Sequence, residues 1–190
     1  MTVWLTGLPC SGKTTLGLAV TGRLKALGWK AEFLDGDVVR RELWRELAFS
    51  KADREENVRR FGVLAALLSR HGIVAVVSAV SPYRASRDLV RTDSTEFLEV
   101  YVNAPLAICE QRDVKGMYRR ARAGEITGFT GVADPYEAPL NPEVECRTDL
   151  ETIEESVAKI MQRIEAAFPG SQPEAVGTTS VLGDRHPNQR

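Results

Sequence analysis

Gly7-Leu8-Pro9-Cys10-Ser11-Gly12-Lys13-Thr14 matches G-x-x-x-x-G-K-[ST] at every fixed position. Such a loop turns successive backbone N–H groups, and the start of the helix that follows, toward one point, which makes a concave anion site. Gly7 and Gly12 let the backbone approach a phosphate with no Cβ in the way. Lys13 reaches the β- and γ-phosphates of a nucleotide, the Thr14 hydroxyl suits Mg²⁺, and Thr15 can cap the helix or contact the α-phosphate. Cys10 and Ser11 complete the cradle, and Cys10 reads as a small residue facing the loop interior rather than as a redox group.

Asp35-Gly36-Asp37 is a second constellation. Phosphoryl transfer to an alcohol needs a carboxylate to accept the hydroxyl proton or to hold the metal, and two carboxylates flanking a glycine can share those jobs. Either aspartate can also cap a following helix, and the roles are compatible. Farther on, the segment from Arg112 to Gly131 holds Arg112, Lys115, Arg119, Arg120 and Arg122, with glycines at 116, 124, 128 and 131. A basic segment, helical in its middle and hinged at both ends, suits a lid that closes positive charge over phosphates and excludes water.

The elements around these residues read as strand, loop and helix in alternation. Val3-Trp4-Leu5 is a short apolar run ahead of the loop, and Leu16, Ala19, Val20, Leu24 and Leu27 follow at helical spacing. Residues 30–34 predict a second strand, so that Asp35 and Asp37 fall on the same sheet edge as the phosphate loop. The spacing predicts a short helix over 38–47 and a longer one over 53–70, stopped by Gly72. Ile73-Val74-Ala75-Val76-Val77 has no polar alternation, as expected of a central strand buried on both faces. Residues 97–102 predict a fourth strand, 106–111 a helical turn or two, 144–146 a fifth strand, and 153–168 a closing helix. The expected fold is α/β: a parallel sheet of the P-loop NTPase type, flanked by helices on both faces, with a mobile lid. Residues 1–168 are expected to form this domain and 169–190, rich in Pro and Gly, a disordered tail.

Composition narrows the function classes. Lys+Arg total 25 and Asp+Glu 26, so no global basic field draws the chain to nucleic acid or to an acidic membrane. No apolar stretch approaches the roughly 18–20 residues that cross a bilayer. Cys10, Cys109 and Cys146 are odd in number and widely spaced, which argues against a disulfide framework and for a reducing compartment. With no basic leader at Met1 the expected location is the cytoplasm. No Asn-Lys-x-Asp segment reads guanine as in switch GTPases, and 73–77 runs into Ser78-Ala79-Val80-Ser81-Pro82 rather than the metal-binding Asp of a motor. A small-molecule kinase remains.

Beyond the loop, Leu34-Asp35-Gly36-Asp37-Val38-Val39-Arg40, Phe49-Ser50, Asp53-Arg54-Glu55-Glu56-Asn57-Val58-Arg59-Arg60, Ser81-Pro82-Tyr83-Arg84, Lys115-Gly116-Met117-Tyr118 and Gly128-Phe129-Thr130-Gly131 with Asp134-Pro135-Tyr136-Glu137 occur in one order. Together they resemble the adenylylsulfate kinase family, from about Val3 to Phe168. The resemblance implies transfer of the ATP γ-phosphate to the 3′-hydroxyl of adenosine 5′-phosphosulfate, with Mg²⁺. By position it implies that Asp37, Arg40, Phe49, Arg54, Asn57, Val80, Ser81, Lys115, Gly128 and Phe129 bind the acceptor, and that Arg119 contacts ATP. Elementary chemistry agrees: Phe49 and Phe129 offer flat faces for an adenine, Arg40 and Arg54 donor forks for a phosphosulfate, and Asn57 a mixed donor and acceptor. Arg59 and Arg60 read as surface charges.

Lys13, Asp35, Asp37 and Ser81 form the expected catalytic set, with Asp37 the favoured base and Asp35 a second candidate for base or metal ligand. The family position of Ser81 is associated with a phosphoserine, yet no base lies beside it in sequence, and hydrogen bonding to the acceptor explains it as well. His71 reads as a helix end. The connection over 91–96 is shorter than the family pattern, and Val80 stands where isoleucine is expected; neither removes a ligand. The resemblance is compatible with a homodimer and requires a separate ATP sulfurylase chain to make the acceptor. Two rivals stay open: a kinase of this fold for another nucleotide or sugar-like acceptor, which lacks a use for Phe49, Arg54, Asn57 and Phe129 together, and an idle nucleotide-binding module, which lacks a use for Lys13, Asp35, Asp37 and Ser81.

Overall fold

The computed structural model of the protein describes residues 1–167. Five parallel strands, β1 (Thr2–Thr6), β2 (Ala31–Asp35), β3 (Val74–Ser78), β4 (Phe97–Asn103) and β5 (Val144–Arg147), form one sheet in the order β2-β3-β1-β4-β5. Between them run α1 (Lys13–Ala26), α2 (Gly36–Leu43), α3 (Lys51–Arg70), α4 (Arg84–Asp93), α5 (Leu106–Arg112) and α6 (Met117–Arg122), and α7 (Ile153–Ala167) closes the described chain.

The two-residue period of a strand divides the core. Val3, Leu5, Val74 and Val76 face one way and meet Leu16, Val20 and Leu24 of α1 with Ile160 and Ile164 of α7. Trp4, Ala75 and Val77 face the other way and meet Val58, Phe61 and Ala65 of α3 with Val90 of α4. Every residue of β1 and β3 is buried, as expected of strands covered on both faces. The strand at the middle of the sheet is β1, however. The continuous apolar run of β3 marks an interior strand, and it cannot tell the second place from the third.

The α/β expectation therefore holds. Most helix boundaries fall within two residues of expectation, and the largest difference is at α2, which ends at Leu43 rather than at residue 47. Trp44 leaves the helical region (φ −134°, ψ 50°) and packs edge-on against Phe61, with ring centroids 4.8 Å apart. Burial of the indole turns the chain out of a helix that local spacing would continue. The expected tail, and Phe168, lie outside the described residues.

Candidate active site

All parallel strands present their C-terminal ends to one edge, and the loops there line a cleft of about 1450 Å³. That exceeds the roughly 300–1,000 Å³ of a pocket for one small ligand and suits two nucleotides side by side. Its walls bring together the phosphate loop, the Asp35–Arg40 turn, Phe49, Arg54, Asn57, Val80, Ser81, Lys115, Gly128 and Phe129. These come from the loops after β1, β2 and β3, from α3, and from the lid segment.

The donor half is built around the loop after β1. A Cβ on Gly7 would stand 2.4 Å from the Val102 carbonyl, so the loop can descend against β4 only with glycine here. Gly12, at φ 106°, turns the chain into α1. Lys13 is 8% exposed, and its Nζ donates to the carbonyls of Gly7 (3.0 Å) and Leu8 (2.6 Å). Burial pushes its ammonium down to about 8. Cys10 sits at φ 60° and packs partly buried beside Cys109 and Leu8. Gly7 and Ser11 lie beneath the cradle rather than on the cleft wall.

Three residues that the sequence did not connect with this loop fasten it. Thr148 Oγ1 donates to the Ser11 carbonyl (2.7 Å), and Arg112 donates to Thr148 O (2.6 Å) and Oγ1 (3.1 Å). Tyr118, 1% exposed on α6, donates its hydroxyl proton to the Pro9 carbonyl (3.0 Å) and meets the Phe129 ring edge-on. An aromatic residue inside an otherwise basic segment was the signal available for Tyr118. Thr148 carried none. Arg119, the lid arginine expected at the nucleotide, is not brought to the cleft wall: its guanidinium lies against Gly116, and Arg112 stands beside the loop instead.

The two aspartates are held differently. Asp35 accepts from the backbone N–H groups of Asp37 (3.0 Å) and Val38 (3.1 Å) through Oδ1, capping α2, and from Thr14 Oγ1 (3.0 Å) through Oδ2. Among the described residues Asp37, with its side chain 75% exposed, meets only Lys115 Nζ from across the cleft, an ion pair that pushes the Lys115 ammonium up. A hydroxyl and a carboxylate oxygen side by side suit a hard cation that keeps water and phosphate oxygens as its other ligands, so Thr14 and Asp35 fit Mg²⁺.

On the acceptor side, Arg40 stacks its guanidinium 4.3 Å from the centre of the exposed Phe49 ring. Arg54 donates to Phe49 O (3.0 Å), Thr130 Oγ1 (2.8 Å) and the Gly128 carbonyl, and pairs with Asp134 (3.6 Å), so it ties α3 to the lid. Asn57 stands on this wall, and among the described residues its buried Oδ1 has no hydrogen-bond partner. Ser81 is 3% exposed; its Oγ accepts from Trp4 Nε1 (3.0 Å) and donates to Thr6 Oγ1 (3.0 Å). Among the described residues no histidine or carboxylate hydrogen-bonds to that hydroxyl. Arg59 and Arg60 both pair with Glu56 on the outer face of α3.

A family model described as "Adenylylsulphate kinase" matches residues 1–147. The adenylyl-sulfate kinase of a Picosynechococcus species is 60% identical over 164 residues, covering 86% of this chain and 93% of its own. That of Rippkaea orientalis is 56% identical over 176 residues, covering 93% and 97%. Among solved structures, the APS kinase of Mycobacterium tuberculosis in complex with AMPPNP and APS superposes with a TM-score of 0.84 at 42% identity, covering 86% of this chain and 96% of that one.

Proposed function

The chain belongs to the adenylylsulfate kinase family, and we propose that Asp37 is the base in its reaction, the transfer of the ATP γ-phosphoryl group to the 3′-hydroxyl of adenosine 5′-phosphosulfate. The products are 3′-phosphoadenylyl sulfate and ADP. The observation that carries the assignment is the division between the aspartates. Both oxygens of Asp35 are engaged by Thr14 and the α2 N-terminus, whereas Asp37 stands in the cleft with a single flexible partner. Only Asp37 can meet an incoming hydroxyl without dismantling a helix cap.

The acceptor oxygen attacks the γ-phosphorus as its proton passes to Asp37, and the bond to the β-bridging oxygen breaks to release ADP. Lys13 and the loop N–H groups hold the β- and γ-phosphates and stabilise the charge that moves onto the bridge. Mg²⁺ bound at Thr14, oriented by Asp35, would neutralise the same charge. Lys115 orients the Asp37 carboxylate from across the cleft, and Arg112, on the cleft wall, adds positive charge near the donor. Phe49 and Phe129 would sandwich the acceptor adenine, Asn57 would meet a base edge or the ribose, and Arg40 and Arg54 the phosphosulfate. Ser81, with its proton already directed to Thr6, serves as a fixed hydrogen-bonding wall for the acceptor beside Val80 rather than as a phosphorylated intermediate.

The reading also implies a separate sulfurylase to supply the acceptor and a cytoplasmic location. Among the described residues no helix is long and apolar enough to cross a membrane. Asp37→Asn tests the proposal: turnover is expected to fall by about 10²–10⁴-fold, the usual contribution of a positioned base, with the ATP dissociation constant unchanged. Asp35→Asn is expected instead to raise the Mg²⁺ concentration needed for half-maximal turnover. Full activity in Asp37→Asn would end its assignment as base.

A further inference from the structure

Arg87 lies on α4, outside the cleft, yet it is 2% exposed and uses each part of its guanidinium. Nε donates to Glu99 Oε1 at 2.7 Å, one terminal nitrogen to the Ser81 carbonyl at 2.6 Å, and the other to the Glu137 carbonyl at 2.8 Å. We propose that Arg87 is a positioning residue for the acceptor, fixing the pose of Ser81 and of the Tyr136–Glu137 segment and thereby setting acceptor affinity. The inference rests on the reading that Ser81 belongs to the acceptor wall.

Ser81 needs such a restraint. Its φ of 40° is a left-handed conformation that a residue with a Cβ rarely adopts, so the surrounding structure must hold it there. Arg87 grips its carbonyl while Trp4 and Thr6 grip its hydroxyl. Thr6 Oγ1 also donates to the Val80 carbonyl (2.8 Å) and lies 3.0 Å from the Tyr136 hydroxyl. Thr6 is the residue before Gly7, so this buried ring of contacts connects the entry of the phosphate loop, the Val80-Ser81 turn and the segment that follows the lid. Glu137 closes the ring from its own side: its N–H donates to Pro82 O (2.8 Å), and its carboxylate accepts from the Arg84 N–H (2.8 Å).

The carboxylate that orients Arg87 is itself oriented. Glu99 sits in β4 among apolar neighbours, 7% exposed, and its Oε2 accepts from Arg91 at 3.3 Å. Arg91 in turn pairs with Glu143, and Glu143 accepts the backbone N–H of Glu99 (2.7 Å). A buried ion pair is weak evidence for stability, because desolvation offsets much of the attraction. What a buried guanidinium supplies here is a rigid fork whose three separate nitrogens reach two backbone carbonyls and a carboxylate at once, a span that the single nitrogen of a lysine does not reproduce.

The test compares Arg87→Lys, which keeps a cation beside Glu99, with Arg87→Met/Glu99→Gln, which removes the buried charges together, and with Ser81→Ala. Steady-state KM is measured for adenosine 5′-phosphosulfate and for ATP, alongside melting temperature. For Arg87→Lys and for the double variant, the expected result is an acceptor KM raised at least tenfold with the ATP KM within twofold of the parent. An acceptor KM within twofold in either variant, or equal rises in both KM values, would overturn the positioning role. Ser81→Ala decides the underlying reading separately: an unchanged acceptor KM there removes Ser81 from the acceptor wall, whatever the Arg87 variants do.

Discussion

Lys13 and Asp37 share one cleft, but Lys13 is 8% exposed while the Asp37 side chain is 75% exposed. The donor half is a single continuous loop, with Lys13 folded onto the carbonyls of Gly7 and Leu8 and the backbone pinned from outside by Thr148, Arg112 and Tyr118. The acceptor half is assembled from distant pieces: Lys115 on Asp37, Arg54 on Gly128 and Thr130, Arg40 over Phe49. Binding a triphosphate asks for a rigid nest of donors that is ready in advance. Admitting a second nucleotide and then shutting out water asks for surfaces that open, and those are drawn from exposed side chains on separate elements.

If that contrast is right, substitutions on the two sides should fail in different ways. The largest effect is expected from Lys13→Met, with turnover down about 10²–10³-fold or more and ATP affinity reduced with it, since the ammonium serves both ground state and transition state. Isothermal titration with ATP and single-turnover rates check both parts. Phe49→Ala should cost about 1–3 kcal/mol of base stacking, which is a rise of roughly 5–150-fold in acceptor KM, and leave ATP binding alone. Steady-state kinetics at saturating ATP read that change. A rise in the ATP KM of similar size would erase the distinction between the halves.

The smallest effect concerns pH. Burial lowers the Lys13 ammonium to about 8 in the free protein, and phosphate oxygens beside it would raise it again. The folded free protein therefore loses this proton above about pH 8, whereas the nucleotide complex keeps it. ATP affinity should be level below that point and fall above it, by no more than about tenfold per pH unit. Titrations at about pH 9 in buffers of different ionisation enthalpy should show proton uptake on binding; none would contradict a buried, titrating Lys13.

The same contrast explains what could be read in the sequence. The phosphate loop, the interior strands and the Asp35-Gly36-Asp37 turn are local signals, set by residue type and spacing, and the fold follows from them. Thr148 and Arg112, which hold the Ser11 carbonyl, are 36 residues apart, and a threonine after a short strand announces nothing. Arg112 and Arg119 belong to one basic segment, and a run of basic residues does not declare which of them faces inward. Glu99 is different. A carboxylate in the run Phe97-Leu98-Glu99-Val100-Tyr101-Val102 must be paired if that strand is buried, and this alone points to a buried cation such as Arg87.

The most direct test of the central claim is ADP release from ATP and Mg²⁺ across a panel of acceptors that includes adenosine 5′-phosphosulfate, AMP and other nucleosides and nucleotides, with product mass read in parallel. Rapid release confined to the phosphosulfate, with one phosphate added to its ribose, is the predicted result. Strong turnover of another acceptor, or ATP binding with no turnover of any, would contradict it.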